Sequence, residues 1–88
     1  MVTHDRLRQI DRAEDGLRAL GFRQMRVRYH GDVARVEVGA AELPVAFERR
    51  VEVSAACHQA GFAFATLDLD GYRLGSNNEV VRLKVLKS

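Results

Sequence analysis

Three stretches of the chain bring together residues with chemical potential: Cys57-His58, Asp68-Leu69-Asp70, and the arginine-bearing run from Arg26 to Glu37. Nucleophilic catalysis needs an activated nucleophile with a base in reach. Cys57 and His58 are neighbours on a helix, so their side chains diverge by about 100° and cannot face each other. Cys57 therefore reads as a small packing residue, and His58 as a helix C-terminal residue favoured by the helix dipole. Asp68 and Asp70 share one side of a strand, a geometry that could hold Mg²⁺. The simpler expectation is that they lie beside Arg26 and Arg28 and neutralise them. His4, His30 and His58 fall in three different elements without ligand spacing, so no metal centre is expected.

Phosphate loops of the GxxxxGK[ST] or GxGxxG type are missing. The stretch from Gly71 to Asn78 is rich in small polar residues and could offer backbone N–H groups to an anion, with Arg73 beside it. No self-sufficient catalytic set emerges, and neither an independent enzyme nor a cofactor is expected.

The elements that must position these residues follow from periodicity. Thr3 is placed as an N-cap, and Leu7, Ile10, Ala13, Leu17 and Leu20 recur at helical spacing up to Gly21. A hairpin comes next, with Met25, Val27 and Tyr29 alternating with charges, then Ala34, Val36 and Val38 doing the same. Gly31-Asp32 as a type II′ loop pairs His30 with Val33, Tyr29 with Ala34, Arg28 with Arg35, Val27 with Val36, Arg26 with Glu37, and Met25 with Val38. A slip of one residue would destroy the segregation of apolar and charged faces.

After the break at Glu42-Leu43-Pro44, one helix is expected from about Pro44 or Val45 to Ala60, with Phe47, Val51, Ala55 and His58 marking one face. Gly61-Phe62 then repeats the helix–Gly-Phe–strand arrangement of Gly21-Phe22. The overlay sets Met25, Val27 and Tyr29 on Ala65, Leu67 and Leu69, predicted as core-facing residues of a third strand. The expected fold is α+β, a small α-β-β-α-β(-β) domain, ferredoxin-like in half, with an antiparallel or mixed sheet and two helices on one face. The expected sheet order is 2-1-3, the first strand central and antiparallel to both neighbours. Residues 1–79 would form this single domain, and 80–88 an edge strand guarded by Arg82 and Lys84, or a tail that orders against a partner.

That arrangement leaves one sheet face uncovered, lined by Arg26, Arg28, His30, Arg35, Glu37, Phe64, Thr66, Asp68 and Asp70. It could be a solvated face, an isologous dimer face, or a cradle for an acidic ligand.

Composition limits the rest. Eighty-eight residues allow one modest core. A formal charge of +2, with signs interleaved along the helices, argues against nucleic acid. No apolar run suits a bilayer or a signal peptide, and a lone cysteine fits a reducing compartment. A cytoplasmic protein without membrane or nucleic-acid partners is expected.

The runs Arg26-Val27-Arg28-Tyr29-His30-Gly31-Asp32-Val33-Ala34-Arg35-Val36-Glu37-Val38 and Thr66-Leu67-Asp68-Leu69-Asp70-Gly71-Tyr72-Arg73-Leu74-Gly75-Ser76-Asn77-Asn78-Glu79 resemble the C-terminal region of LarE-type ATP-dependent sacrificial sulfur transferases. These enzymes help build the nickel-pincer nucleotide cofactor. The likeness covers about Thr3 to Glu79. Family members carry an N-terminal PP-loop domain for ATP and an upstream cysteine, and the resemblance implies that this chain starts after both. Cys57 does not match the sulfur-donating position. Arginines and acids of this region in the family serve a phosphate or substrate site and subunit contacts. By position, the resemblance assigns that role to Arg26, Arg28 and Glu37, with Arg73 a weaker candidate.

Two functions follow as expectations. One is a stand-alone, non-catalytic module that forms a homo-oligomer or complements a separate PP-loop protein. The other is binding of a phosphorylated small molecule, such as a pyridine mononucleotide, through the arginine cluster.

Overall fold

The structure is a computed structural model and describes residues 3–72. Arg73 and the expected edge strand at 80–88 lie outside the described residues. The first helix, α1, runs His4–Ala19, and the Thr3 hydroxyl accepts the Arg6 N–H as the N-cap. Strands β1 (Met25–His30) and β2 (Val33–Val38) form the hairpin in the register expected from the sequence, pair for pair. Gly31 takes φ +63° while Asp32 stays at negative φ, as a glycine-first loop requires. The Glu42 carboxylate accepts the N–H groups of Arg23 and Gln24 and fixes the entry into β1.

A 3-10 turn at Ala40–Glu42 leads into helix α2 (Leu43–Glu48), helix α3 (Arg50–Gln59) and strand β3 (Phe64–Leu67). The single second helix expected from the sequence is thus kinked in two. Pro44 fits the first turn of α2, where its missing N–H costs nothing. The kink falls at Arg49, whose backbone leaves helical geometry at φ −100°, ψ 30°. Its N–H still reaches the Val45 carbonyl, and its carbonyl still accepts from Val53. The Arg49 guanidinium donates to the Leu20 carbonyl at 2.6 Å, tying the kink to the end of α1.

The fold is α+β, with helices packed on a mixed three-stranded sheet. Its order differs from the expected 2-1-3: β2 is central, antiparallel to β1 and parallel to β3. Two contacts explain this. The helices carry the chain back along the sheet, so Ala63 and Phe64 both donate to the Asp32 carbonyl at the hairpin turn. The free edge of β1 is already engaged, because the Glu14 carboxylate accepts the Val27 N–H at 2.9 Å.

The core gathers Ala13, Leu17, Phe22, Val27, Ala34, Val36, Val38, Ala46, Val53, Ala56, Cys57, Ala60 and Phe62. The buried face of α2 and α3 is therefore Ala46, Val53, Ala56, Cys57 and Ala60. The face proposed from the sequence points outward, with Phe47 62% and Val51 76% exposed and Ala55 and His58 also exposed. Close helix packing selects the small residues: a Cβ added at Gly16 of α1 would stand 3.0 Å from the Ala56 Cβ of α3.

The two helix–Gly-Phe–strand units match closely. Gly21 and Gly61 both sit at φ +104°, and Phe22 and Phe62 donate back to the Leu17 and Cys57 carbonyls at 3.2 and 3.1 Å. The likeness stops at the end of β3. Leu69 is 81% exposed rather than core-facing, because the chain turns at Asp68. There Asp68 Oδ1 accepts the Asp70 N–H, and the Gly71 N–H donates to the Asp68 carbonyl.

Candidate functional site

Alternation along β1 and β2 sends Arg26, Arg28, Arg35 and Glu37 to the sheet face opposite the helices. Of these, Glu37 is the residue the fold treats most unusually, at 7% exposed on a face no helix covers. Its Oε1 accepts from Arg28 Nε at 3.3 Å and its Oε2 from an Arg35 terminal nitrogen at 2.9 Å. Arg28 and Arg35 stand opposite each other in register, two like charges that need a carboxylate between them. Arg35 Nε lies 3.6 Å from Asp68 Oδ2; it is buried and makes no hydrogen bond among the described residues.

The result is an alternating chain, Arg28–Glu37–Arg35–Asp68, across three strand positions. It lines an open depression of about 440 Å³ together with His30 and Gly71. Both terminal nitrogens of Arg28 and one of Arg35 hold no hydrogen bond among the described residues.

The site residues named from the sequence are only partly brought together. Arg28 and Glu37 meet directly. Arg26, although paired with Glu37 in register, turns away to Tyr72, with its guanidinium 5.5 Å from the ring centre and 3.4 Å from the hydroxyl. Arg73 lies outside the described residues. Asp68 neutralises Arg35 rather than Arg26 or Arg28, because β3 lies against β2 and not β1. Asp70 sits in the turn beyond the strand. Arg35, expected on the uncovered face but not among the residues the resemblance assigned to a site, joins it, and Tyr72 was not expected there. The opposed pair Arg28–Arg35 was the available signal for the first; nothing short of the turn at Asp68 indicates the second.

Cys57 is fully buried, and burial pushes its thiol up to about 11. A thiol so protonated is a poor nucleophile at neutral pH. His58, next to it, directs Nδ1 to the Phe62 carbonyl at 2.9 Å and away from the sulfur. Native protein is expected to resist a thiol reagent at pH 8 and to react on unfolding. Unfolding returns the thiol to about 8.5, so the stability tied to the neutral form is complete below that pH and fades as pH climbs towards 11. The loss is roughly 2–3 kcal/mol. Urea titrations at pH 7.5 and 10.5 should show a smaller alkaline loss in Cys57→Ala; equal losses would contradict this environment.

Elsewhere on the surface, the side-chain hydrogen bond between Arg49 and Glu52 raises the arginine and lowers the carboxyl from their ordinary values. Among the described residues no group of three metal-ligating side chains assembles, and no helix is long and apolar enough to cross a membrane.

Over 80 residues, 91% of its length, the chain is 39% identical to pyridinium-3,5-bisthiocarboxylic acid mononucleotide synthase of Lactiplantibacillus plantarum. The chain resembles a LarE C-terminal-like fragment. An uncharacterised protein of Synechocystis sp. is 36% identical over 83 residues. The chain spans only 29% and 31% of these two relatives. No family model matches the chain. The LarE-like likeness takes in the whole arginine-bearing hairpin and the depression beneath it.

Proposed function

We propose that this LarE-like domain is a non-catalytic binding and assembly module, working through its uncovered sheet face. A second copy, or a separate PP-loop protein that supplies the ATP chemistry, is the partner. The observation that carries this reading is the burial of Glu37 between Arg28 and Arg35. Glu37 offsets the like charges of Arg28 and Arg35, and on a face that docks, holding those side chains in place beforehand also lowers the entropy cost of association.

Size-exclusion chromatography with light scattering tests it directly. The wild-type chain is expected to self-associate, or to shift on adding a PP-loop protein without this domain. Arg35→Glu should abolish either change while leaving the fold intact by circular dichroism. A wild-type monomer at high concentration that captures no PP-loop partner would overturn the assembly reading.

The opposed Arg28 and Arg35 guanidiniums on the wall of the depression favour a second reading, in which it receives a phosphate monoester such as a pyridine mononucleotide. Paired guanidiniums suit a phosphate. Thermal shift against nicotinate mononucleotide, with inorganic phosphate as control, should then rise with ligand concentration in wild type and not in Arg28→Ala, Arg35→Ala. Identical responses would remove this site from consideration.

A further inference from the structure

The two outer edges of the sheet are finished differently. On β1, the Glu14 carboxylate of α1 takes the Val27 N–H, and Val27 is buried. The residues at the matching places of the second helix–Gly-Phe–strand unit are Ser54 and Leu67. Ser54 carries no carboxylate to repeat the latch, and Ala65 and Leu67 are only half-buried. Among the described residues no strand pairs with the outer edge of β3. Phe64 and Asp68 donate inward, to the Asp32 and Val36 carbonyls, so alternation turns the Ala65 and Leu67 amides outward. No charged side chain falls between Ala63 and Leu67, whereas exposed edges are commonly guarded by charges or proline.

We propose that the outer edge of β3 pairs antiparallel with β3 of a second copy, about a two-fold axis beside Thr66. One register uses both outward amides: Ala65 of each copy lies opposite Leu67 of the other, and the pair exchanges N–H and carbonyl bonds. Thr66 then faces its own counterpart on the axis, a threonine pair of the kind that stabilises antiparallel strands. The neighbouring registers are poorer. One sets Leu67 against Ala63, whose N–H is already given to Asp32. The other sets Ala65 against Leu69, which lies in the turn beyond the strand.

The side chains agree with the chosen register. On the helix side a groove of about 70 Å³ runs beside Ala65 and Leu67, walled by Ala46, Arg50, Val53 and Ser54. Pairing brings Leu67 of each copy opposite Ala65 of the other, large against small, over that groove. The Arg50 guanidinium lies 5.1 Å from the ring centre of exposed Phe47, which extends the apolar surface outward from the same wall. Directly opposed residues share a sheet face. The two copies would therefore present their Arg28–Glu37–Arg35–Asp68 chains side by side on one continuous sheet. The assignment goes beyond the reading of the open face and does not depend on it.

Thr66→Cys tests it, because Cys57 is buried and leaves the new thiol as the reactive one. Residues opposed in this way stand about 4.5 Å apart at Cα, within reach of a disulfide. Phe64→Cys is the control, since the same pairing sets two such cysteines about 13 Å apart along the strands. Under mild oxidation Thr66→Cys should give at least about tenfold more linked dimer than Phe64→Cys on a non-reducing gel, because pairing raises the effective thiol concentration. Adding Ala65→Pro removes an outward N–H at an edge position that tolerates proline, and should bring the yield down to that of the control. Equal yields from the two cysteines would overturn the proposal, as would a Thr66→Cys yield that survives Ala65→Pro. If the proline variant does not fold, the comparison of the two cysteines decides alone.

Discussion

Phe22→Ala and Phe62→Ala should each remove about 3–5 kcal/mol of folding stability, the range for truncating a buried phenylalanine. A domain of this size holds about 4–13 kcal/mol in total, so either variant would stand near the edge of unfolding at 37 °C. Both rings are almost fully buried and follow a left-handed glycine that turns the chain from helix into strand. Each therefore anchors the junction of a helix and a strand to the shared core. Phe62 should be the costlier of the two. Its ring lies 5.7 Å from that of Tyr29 at 59°, a tilted pair that adds about 0.5–1.5 kcal/mol beyond area burial. Urea midpoints measure both losses. A change below about 1 kcal/mol at either position would contradict the core assigned here.

Gly71→Ala is expected to cost about 2–4 kcal/mol, from left-handed strain and steric overlap together. Gly71 sits at φ +81°, and a Cβ there would lie 2.7 Å from the Val38 carbonyl oxygen, part of a strand that cannot give way. Gly31→Ala is the natural comparison. Gly31 also has positive φ, at +63°, but nothing stands within 4 Å of an added Cβ. It should lose only the strain, about 1–2 kcal/mol. Thermal melts of the two variants separate overlap from strain, and equal losses would show that the Val38 contact does not constrain the turn. Gly71→Ala should also disturb the open face, since the same turn places Asp68 beside Arg35 and Tyr72 beside Arg26.

The hairpin was legible because period-two alternation on both strands admits one register, and that register is the one found. The N-cap at Thr3, the two left-handed glycines and the α+β class follow from equally local chemistry. The buried face of the second helix was not legible. Hydrophobic size points to Phe47 and Val51, yet α1 and α3 approach so closely at Gly16 and Ala56 that small side chains are the ones enclosed. Sheet order depends on a contact that periodicity does not register, the Glu14 carboxylate on the Val27 amide. At the site, the register brought Arg26 opposite Glu37 but could not say that the carboxylate would reach diagonally to Arg28 and along its own strand to Arg35. Side-chain direction on a crowded face is decided by all its neighbours together.

The parallel pairing of β3 with β2 also has a bearing on how the chain acquires its shape. Strands β1 and β2 close across a two-residue loop, whereas β3 must find β2 after about thirty intervening residues. The extra closure entropy is about 2 kcal/mol. The hairpin is therefore the natural early structure, and β3 the late arrival. In native fluctuations the order reverses, and β3 is the strand that should open first. The arginines of β1 and β2 keep their carboxylate, Glu37, through such an opening, while Asp68 departs with β3.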